Sequence, residues 1–298
     1  MNILSRRDSD RLRMALAPAR DLGRLDGTVL AFGGPYSNLQ ALQAMRAQAG
    51  ELGIPPERCI CTGDVVAYGA DPAASVASIR EGGAQVIAGN CELALADAAF
   101  DCGCGFQAGS ACDVDAARWY AFARRQTDAG ARRWMAALPG MIRLTLAGRR
   151  VAVVHGAPSR VNRFVFASTP ATEKLAEMNL AGAELVIAGH AGLPFTETLA
   201  GGAIWHNPGA IGLPANDGTP DGWYALLRPT TDGGLAISHH HLAYDHAEAA
   251  RRMRAAGLPE GYARALETGL WPSDDVLPET EKAAAGIAID AGRLQVPA

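Results

Sequence analysis

Through the first two-thirds of the chain, short runs of β-branched and other apolar residues alternate with alanine-rich stretches in which apolar positions recur near the 3.6-residue period. The apolar runs predict strands over Thr28–Phe32, Cys59–Thr62, Gln85–Ala88, Met141–Leu146, Arg150–His155 and Leu185–Ala188. The periodic stretches predict helices over Leu39–Ala49, Pro72–Glu81, Val114–Arg125 and Ala171–Asn179. Such alternation is the pattern of parallel strands joined by helical crossovers. After about residue 190 the pattern changes. Thr196–Leu199, Ala203–His206, Trp223–Leu227 and Leu235–Leu242 are strand-like and separated by Gly, Pro and Asp turns, which predicts a meander forming a second sheet. Two helical stretches follow Tyr244, then a tail from about Pro272 that is expected to pack loosely.

The chain has 298 residues, enough for one sizeable α/β domain or two small ones. No internal repeat or low-complexity segment divides it. One domain over 1–298 is the expectation, with a core over about 27–245 and C-terminal helices and tail over 246–298. With 49% hydrophobic and 19% charged residues the composition is that of a globular protein. A net charge of −4 argues against nucleic acid as a partner. Neither a signal-peptide pattern nor a membrane-spanning apolar run stands out, so a cytoplasmic protein without a membrane partner is expected. In that compartment the six cysteines should be thiols.

The chemistry concentrates where apolar runs end. Gly63-Asp64 follows "CICT", Gly89-Asn90 follows "QVIA", His155-Gly156 follows "VAVV", and Gly189-His190 follows "LVIA". An open α/β sheet gathers such residues at its carboxyl edge. Each glycine lets the backbone turn sharply and approach a ligand closely. A lone histidine at a strand end is more often a structural group than a ligand. One carboxylate, one amide and two imidazoles at four strand ends make an O/N donor set suited to Zn, Mn, Fe or Co.

These segments resemble the calcineurin-like metallophosphoesterase superfamily, in particular its small bacterial and archaeal phosphodiesterase-like branch. "GGPYSNLQAL" stands where that family has "SDxHGNLxAL", "CTGDVVAYGADP" where it has "GDxVxYGPDP", and "AGNCE" where it has "GNHD" or "GNCD". "VVHGAPSR" matches "HGSP", "AGHAGLPF" matches "GHTHxPF", and "NPGAIGLP" matches "NPGSVGQP". The resemblance implies an αββα sandwich of two mixed β-sheets flanked by helices. It also implies a hydrolase whose two metals share one aspartate and activate a bridging hydroxide.

Carried over residue by residue, the family's second metal keeps every ligand: Asp64, Asn90, His155 and His190. Its first metal keeps only the shared Asp64. The family's other three first-metal ligands are replaced by Gly34, Tyr36 and Gly192. All losses fall on one site, which implies one divalent ion per chain, Mn, Zn or Fe. The expected activity is a metal-dependent phosphoesterase on a small phosphorylated substrate, with Tyr36 and His206 positioning that substrate. Two alternatives remain open: a mononuclear-metal enzyme acting on a non-phosphoester, and a non-catalytic protein that binds a phosphorylated ligand. Homodimers are frequent in this fold, so one is possible here.

Other residues carry weaker signals. Cys91 reads as a buried spacer or an added ligand, and Glu92 as shaping the turn. Cys102, Cys104 and Cys112 would need a fourth ligand to close a zinc site, so free or redox-active thiols are preferred. The segment that carries them would lie over the site as a cap in similar proteins. Arg160 and Arg163 are candidates for gripping a phosphate. The run His239-His240-His241 reads as a solvated strand edge, with His239 and His241 on one face.

Overall fold

The computed structural model describes residues 19–290 and 292–296. Two six-stranded sheets stack face to face with helices on both outer surfaces. Along the chain the strands are β1 (Arg20–Leu25), β2 (Val29–Phe32), β3 (Cys59–Cys61), β4 (Gln85–Val86), β5 (Met141–Leu146) and β6 (Arg149–Val154). They continue with β7 (Leu185–Ala188), β8 (Phe195–Thr198), β9 (Ile204–Asn207), β10 (Gly222–Pro229), β11 (Leu235–Leu242) and β12 (Arg293–Val296). The sheet orders are β1-β5-β6-β7-β9-β8 and β12-β11-β10-β2-β3-β4. Both sheets mix parallel and antiparallel pairs.

The strand segments fall close to the sequence expectations, but their partition does not. The C-terminal strands build no sheet of their own. β8 and β9 extend the sheet of β7, whereas β10 and β11 extend the sheet of β2. Nor are all the earlier strands parallel. β5 and β6 form an antiparallel hairpin closed by Ala147-Gly148, both at positive φ, the geometry a two-residue hairpin favours.

Side-chain alternation shows why these runs are continuously apolar. In β2, Val29 and Ala31 face the layer between the sheets, while Leu30 and Phe32 face helices. In β7, Leu185 and Ile187 face the same interior, while Val186 and Ala188 meet Met178 and Ala181 of a covering helix. Strands buried on both faces lose the polar alternation of a half-exposed strand. Each such aliphatic side chain contributes roughly 1.5–3 kcal/mol through burial.

The helices are α1 (Leu39–Glu51), α2 (Pro72–Gly82), α3 (Asn90–Ala96), α4 (Ala111–Gln126) and α5 (Ala129–Ala136). Then come α6 (Ala171–Ala181), α7 (His246–Ala255), α8 (Glu260–Thr268) and α9 (Glu279–Ala283). α6 covers the first sheet, and α1, α2, α7 and α8 pack over the second. The asymmetry follows from where the long connections fall.

The tail, largely exposed, is anchored at a few points. Leu277 and Val296 are buried, and Glu281 accepts hydrogen bonds from the Ser168 amide (3.0 Å) and hydroxyl (2.6 Å). β12 pairs with β11, so the last strand completes a sheet edge. No helix among the described residues is long and apolar enough to cross a membrane.

Candidate metal centre

Asp64 follows β3 and Asn90 opens α3 just beyond β4, both from the second sheet. His155 and His190 follow β6 and β7 of the first sheet. The four donors therefore meet at a seam where the carboxyl ends of two sheets face each other, not along one sheet edge. Packing of the sheets makes the site, which ties its geometry to the core.

The cluster centres on one imidazole nitrogen. His155 Nε2 lies 3.0 Å from Asn90 Oδ1, 3.1 Å from His190 Nδ1 and 3.2 Å from Asp64 Oδ2. His155 Nδ1 is 2.6 Å from the Thr62 carbonyl, which can only accept, so Nδ1 carries a proton. Asn90 Nδ2 donates to the Cys102 carbonyl at 2.9 Å, which turns Oδ1 towards the cluster. Lone pairs from an aspartate, an asparagine and two histidines thus crowd around one buried point. A proton on Nε2 can serve only one of the acceptors, whereas a cation among them serves all. The donor set fits a divalent transition metal held by Asp64, Asn90, His155 and His190.

Charge follows the same logic. Burial works against both charged forms, yet the two groups sustain each other: His155 is shifted upward by Asp64, and Asp64 downward by His155 and His190. His190 is pushed down to about 3 by burial and by His155, which leaves its ring neutral, the state a metal ligand requires.

The turns are built for close approach. Asp64 and His190 both adopt positive φ, +54° and +59°, strained for non-glycine residues. At position 89 a Cβ would fall 2.2 Å from Asp64 Oδ1, so only glycine fits. Glu92, fully buried, accepts from the backbone N–H of Asp64 (2.7 Å), Gly89 (2.9 Å) and Val66 (3.2 Å). Its carboxylate ties the Asp64 turn to the Asn90 turn. Burial, then Asp64, pushes it up to about 7. Cys91 is the buried spacer of the two readings: its amide donates to Asp64 Oδ1 at 3.2 Å, and burial raises its thiol.

Aromatic side chains stand beside the positions where the resemblance puts the first metal's other ligands. A Cβ on Gly34 would lie 2.3 Å from the Tyr36 ring, so that ring fills the space of the missing aspartate side chain. Burial, then Asp64, holds the Tyr36 phenol well above its ordinary value. At Gly192 a Cβ would reach the Trp271 ring at 3.5 Å. Tyr36 fills a ligand's space, whereas Trp271 stands at ordinary contact distance from position 192. Trp271, Phe164 and Phe106 carry no motif signal in the sequence, and only the fold brings them here.

Other expectations are relocated. His206 is fully buried in β9, bonded through Nδ1 to Thr196 Oγ1 at 2.8 Å and stacked on His239 at 4.9 Å between ring centres. It lies outside the cluster of Asp64, His155 and His190. Its neighbour Asn207 reaches the site instead, donating to the Gly189 carbonyl at 3.1 Å. His239 is buried, not on a solvated edge, because β9 of the opposing sheet covers it with the His206 ring and the Asn207 carbonyl. Arg163 pairs with Glu173 and Glu177, so it is engaged away from any phosphate, and Arg160 is exposed. The cysteine expectation is corrected: Cys102 and Cys104 form a disulfide, while Cys112 is a separate buried thiol, so the three do not form a zinc site.

A model of the calcineurin-like phosphoesterase superfamily domain matches residues 38–232, well over half of the chain. The chain belongs to the calcineurin-like phosphoesterase superfamily. The match begins at Asn38, just after the altered Gly34–Tyr36 loop. Among solved structures, a metallophosphoesterase from Sphaerobacter thermophilus is 23% identical with a TM-score of 0.63, covering 85% of this chain and 100% of its own. A hypothetical protein from Pyrococcus horikoshii OT3 is 18% identical with a TM-score of 0.68, covering 81% and 98%. At these identities the likeness concerns the fold. No curated protein matches the chain significantly.

Proposed function

We propose that this protein is a metal-dependent phosphoesterase that works from a single retained metal site. The observation that carries this reading is the convergence of Asp64, Asn90 and His190 within 3.0–3.2 Å of His155 Nε2. The Tyr36 ring in the space of the missing aspartate supports the count of one.

An ion bound there would supply a Lewis acid for a phosphoryl oxygen and an acidified water. The protein's own residues do the rest. Thr62 holds His155 in one tautomer, Cys102 holds the Asn90 amide, and Glu92 fixes the turn that presents Asp64. Tyr36, beside Asp64, would border the substrate. Losing one of two metals removes several kcal/mol of charge stabilisation, so slow turnover of simple phosphodiesters is expected.

Elemental analysis of untagged protein purified without chelator should find one transition-metal ion per chain. His190→Ala should lose it, together with any turnover of bis-p-nitrophenyl phosphate. Two ions per chain, or full turnover by metal-free protein, would overturn the reading.

A further inference from the structure

A cavity of about 60 Å³ opens beside His190, on the side where the family's first metal would lie. Its walls are aromatic: Tyr36 and Tyr68 from the loops after β2 and β3, Phe106 and Phe164 from the capping segments, Tyr262 from α8, and Trp271 from the tail. Among the described residues no lysine, arginine, aspartate or glutamate lines it. The Phe164 ring lies over His190, with 4.1 Å between ring centres. Tyr68 meets Tyr36 edge-on at 5.0 Å and Tyr262 at 4.7 Å, so neighbouring rings brace the wall. Trp271 is fixed by its indole N–H donating to the Pro214 carbonyl at 2.7 Å.

From this geometry we infer that the cavity is a substrate subsite for one uncharged aromatic ring, and that the protein acts on aryl esters. The inference rests on the metal centre of the proposed function, because His190 is both a ligand of that centre and a wall of the cavity. A group bound to the metal through an ester oxygen would have its substituent directed along His190 into the aromatic chamber. The chemistry of the walls selects the substituent: rings stack and meet edge-on with aromatic walls, while a charged group would enter without a partner. A nucleotide's phosphates would find no cation in this lining. The residues that remove one metal therefore also create a specificity pocket.

The first test uses metal-free protein, so it does not depend on the metal reading. Binding of 4-fluorophenol is followed by fluorine NMR, with trifluoroethanol as the non-aromatic control. We expect saturable binding of the phenol alone, weakened at least about tenfold in Trp271→Ala, which removes a wall, and in Val276→Phe, which fills the space. Cooperative thermal unfolding identifies a folded variant, and either one that folds suffices. In metal-loaded protein, phenylphosphonate should then bind about tenfold or more tighter than methylphosphonate, and Val276→Phe should erase the difference. Equal binding of phenol and control, or phenol binding unaffected in a folded variant, would overturn the subsite. Phenol binding with no preference between the phosphonates would overturn its connection to the metal centre. Absence of metal with intact phenol binding would overturn the proposed function and leave the ring site standing.

Discussion

At position 34 a glycine with φ of +41° faces the Tyr36 ring, and on the proposed function that pair limits the centre to one metal. Restoring the aspartate alone should fail. Gly34→Asp puts a Cβ 2.3 Å from an aromatic carbon and forces a left-handed backbone on a non-glycine residue. The left-handed conformation and the overpacking together should cost about 2–4 kcal/mol, visible as a lower melting temperature with the metal count still one. Adding Tyr36→His and Gly192→His clears the ring and supplies the two missing imidazoles, and the count should rise towards two. A Gly34→Asp protein that melts like wild type and binds two ions would show that Tyr36 is no barrier. The replaced ligands are legible in the sequence because they interrupt motifs at fixed positions. What replaced them is legible only in part: Tyr36 is in the loop itself, whereas Trp271 lies 79 positions beyond Gly192 and meets it through tertiary packing.

At the scale of elements, the centre depends on turns more than on the strands that lead to them. Apolar runs ending in Gly-Asp, Gly-Asn, His-Gly and Gly-His mark the site in the sequence, since buried strands must stop where polar ligands begin. The support for Asn90 is not marked. Its side-chain amide is oriented by the Cys102 carbonyl, in a turn closed by the Cys102–Cys104 disulfide. Replacing both with alanine should free that turn and let the Asn90 amide rotate. Groups that orient a metal ligand typically contribute about 10–100-fold to affinity, so a loss of that size is expected in competition with a chelator. Unchanged affinity in a folded double variant would mean that the Asn90 helix alone holds the amide. β1 and β12 are equally silent in the sequence. Both are edge strands with charged and half-exposed residues, and they lack the apolar run that announces an inner strand.

For the whole molecule, the site exists because two sheets stay pressed together, and one contact between them is sensitive to acid. His206 of the first sheet stacks on His239 of the second, 11° from parallel, within the buried interior. The sequence shows both histidines but not their meeting, which depends on β9 and β11 joining different sheets. Burial pushes His239 down to about 4, and burial together with His239 pushes His206 well below its ordinary value. Thr196 and the Asn207 carbonyl are the polar groups bonded to the two rings. Neither supplies a negative charge. In the unfolded chain both imidazoles take up a proton near pH 6.5, whereas the folded pair resists it. Their contribution is therefore complete above about pH 6.5 and is lost as pH falls towards 4, by about 1.4 kcal/mol per pH unit for each histidine that titrates only when unfolded. For His239 alone this amounts to something on the order of 3 kcal/mol across the window. Melting temperatures measured in chelator between pH 7 and pH 4 should decline, and His239→Phe, which keeps a stacked ring without a titrating group, should flatten part of that decline. A variant that loses stability with the same pH slope as wild type would place the acid sensitivity elsewhere. Since the candidate metal donors come from both sheets, the same acid opening would carry Asp64 and Asn90 away from His155 and His190 and dismantle the centre.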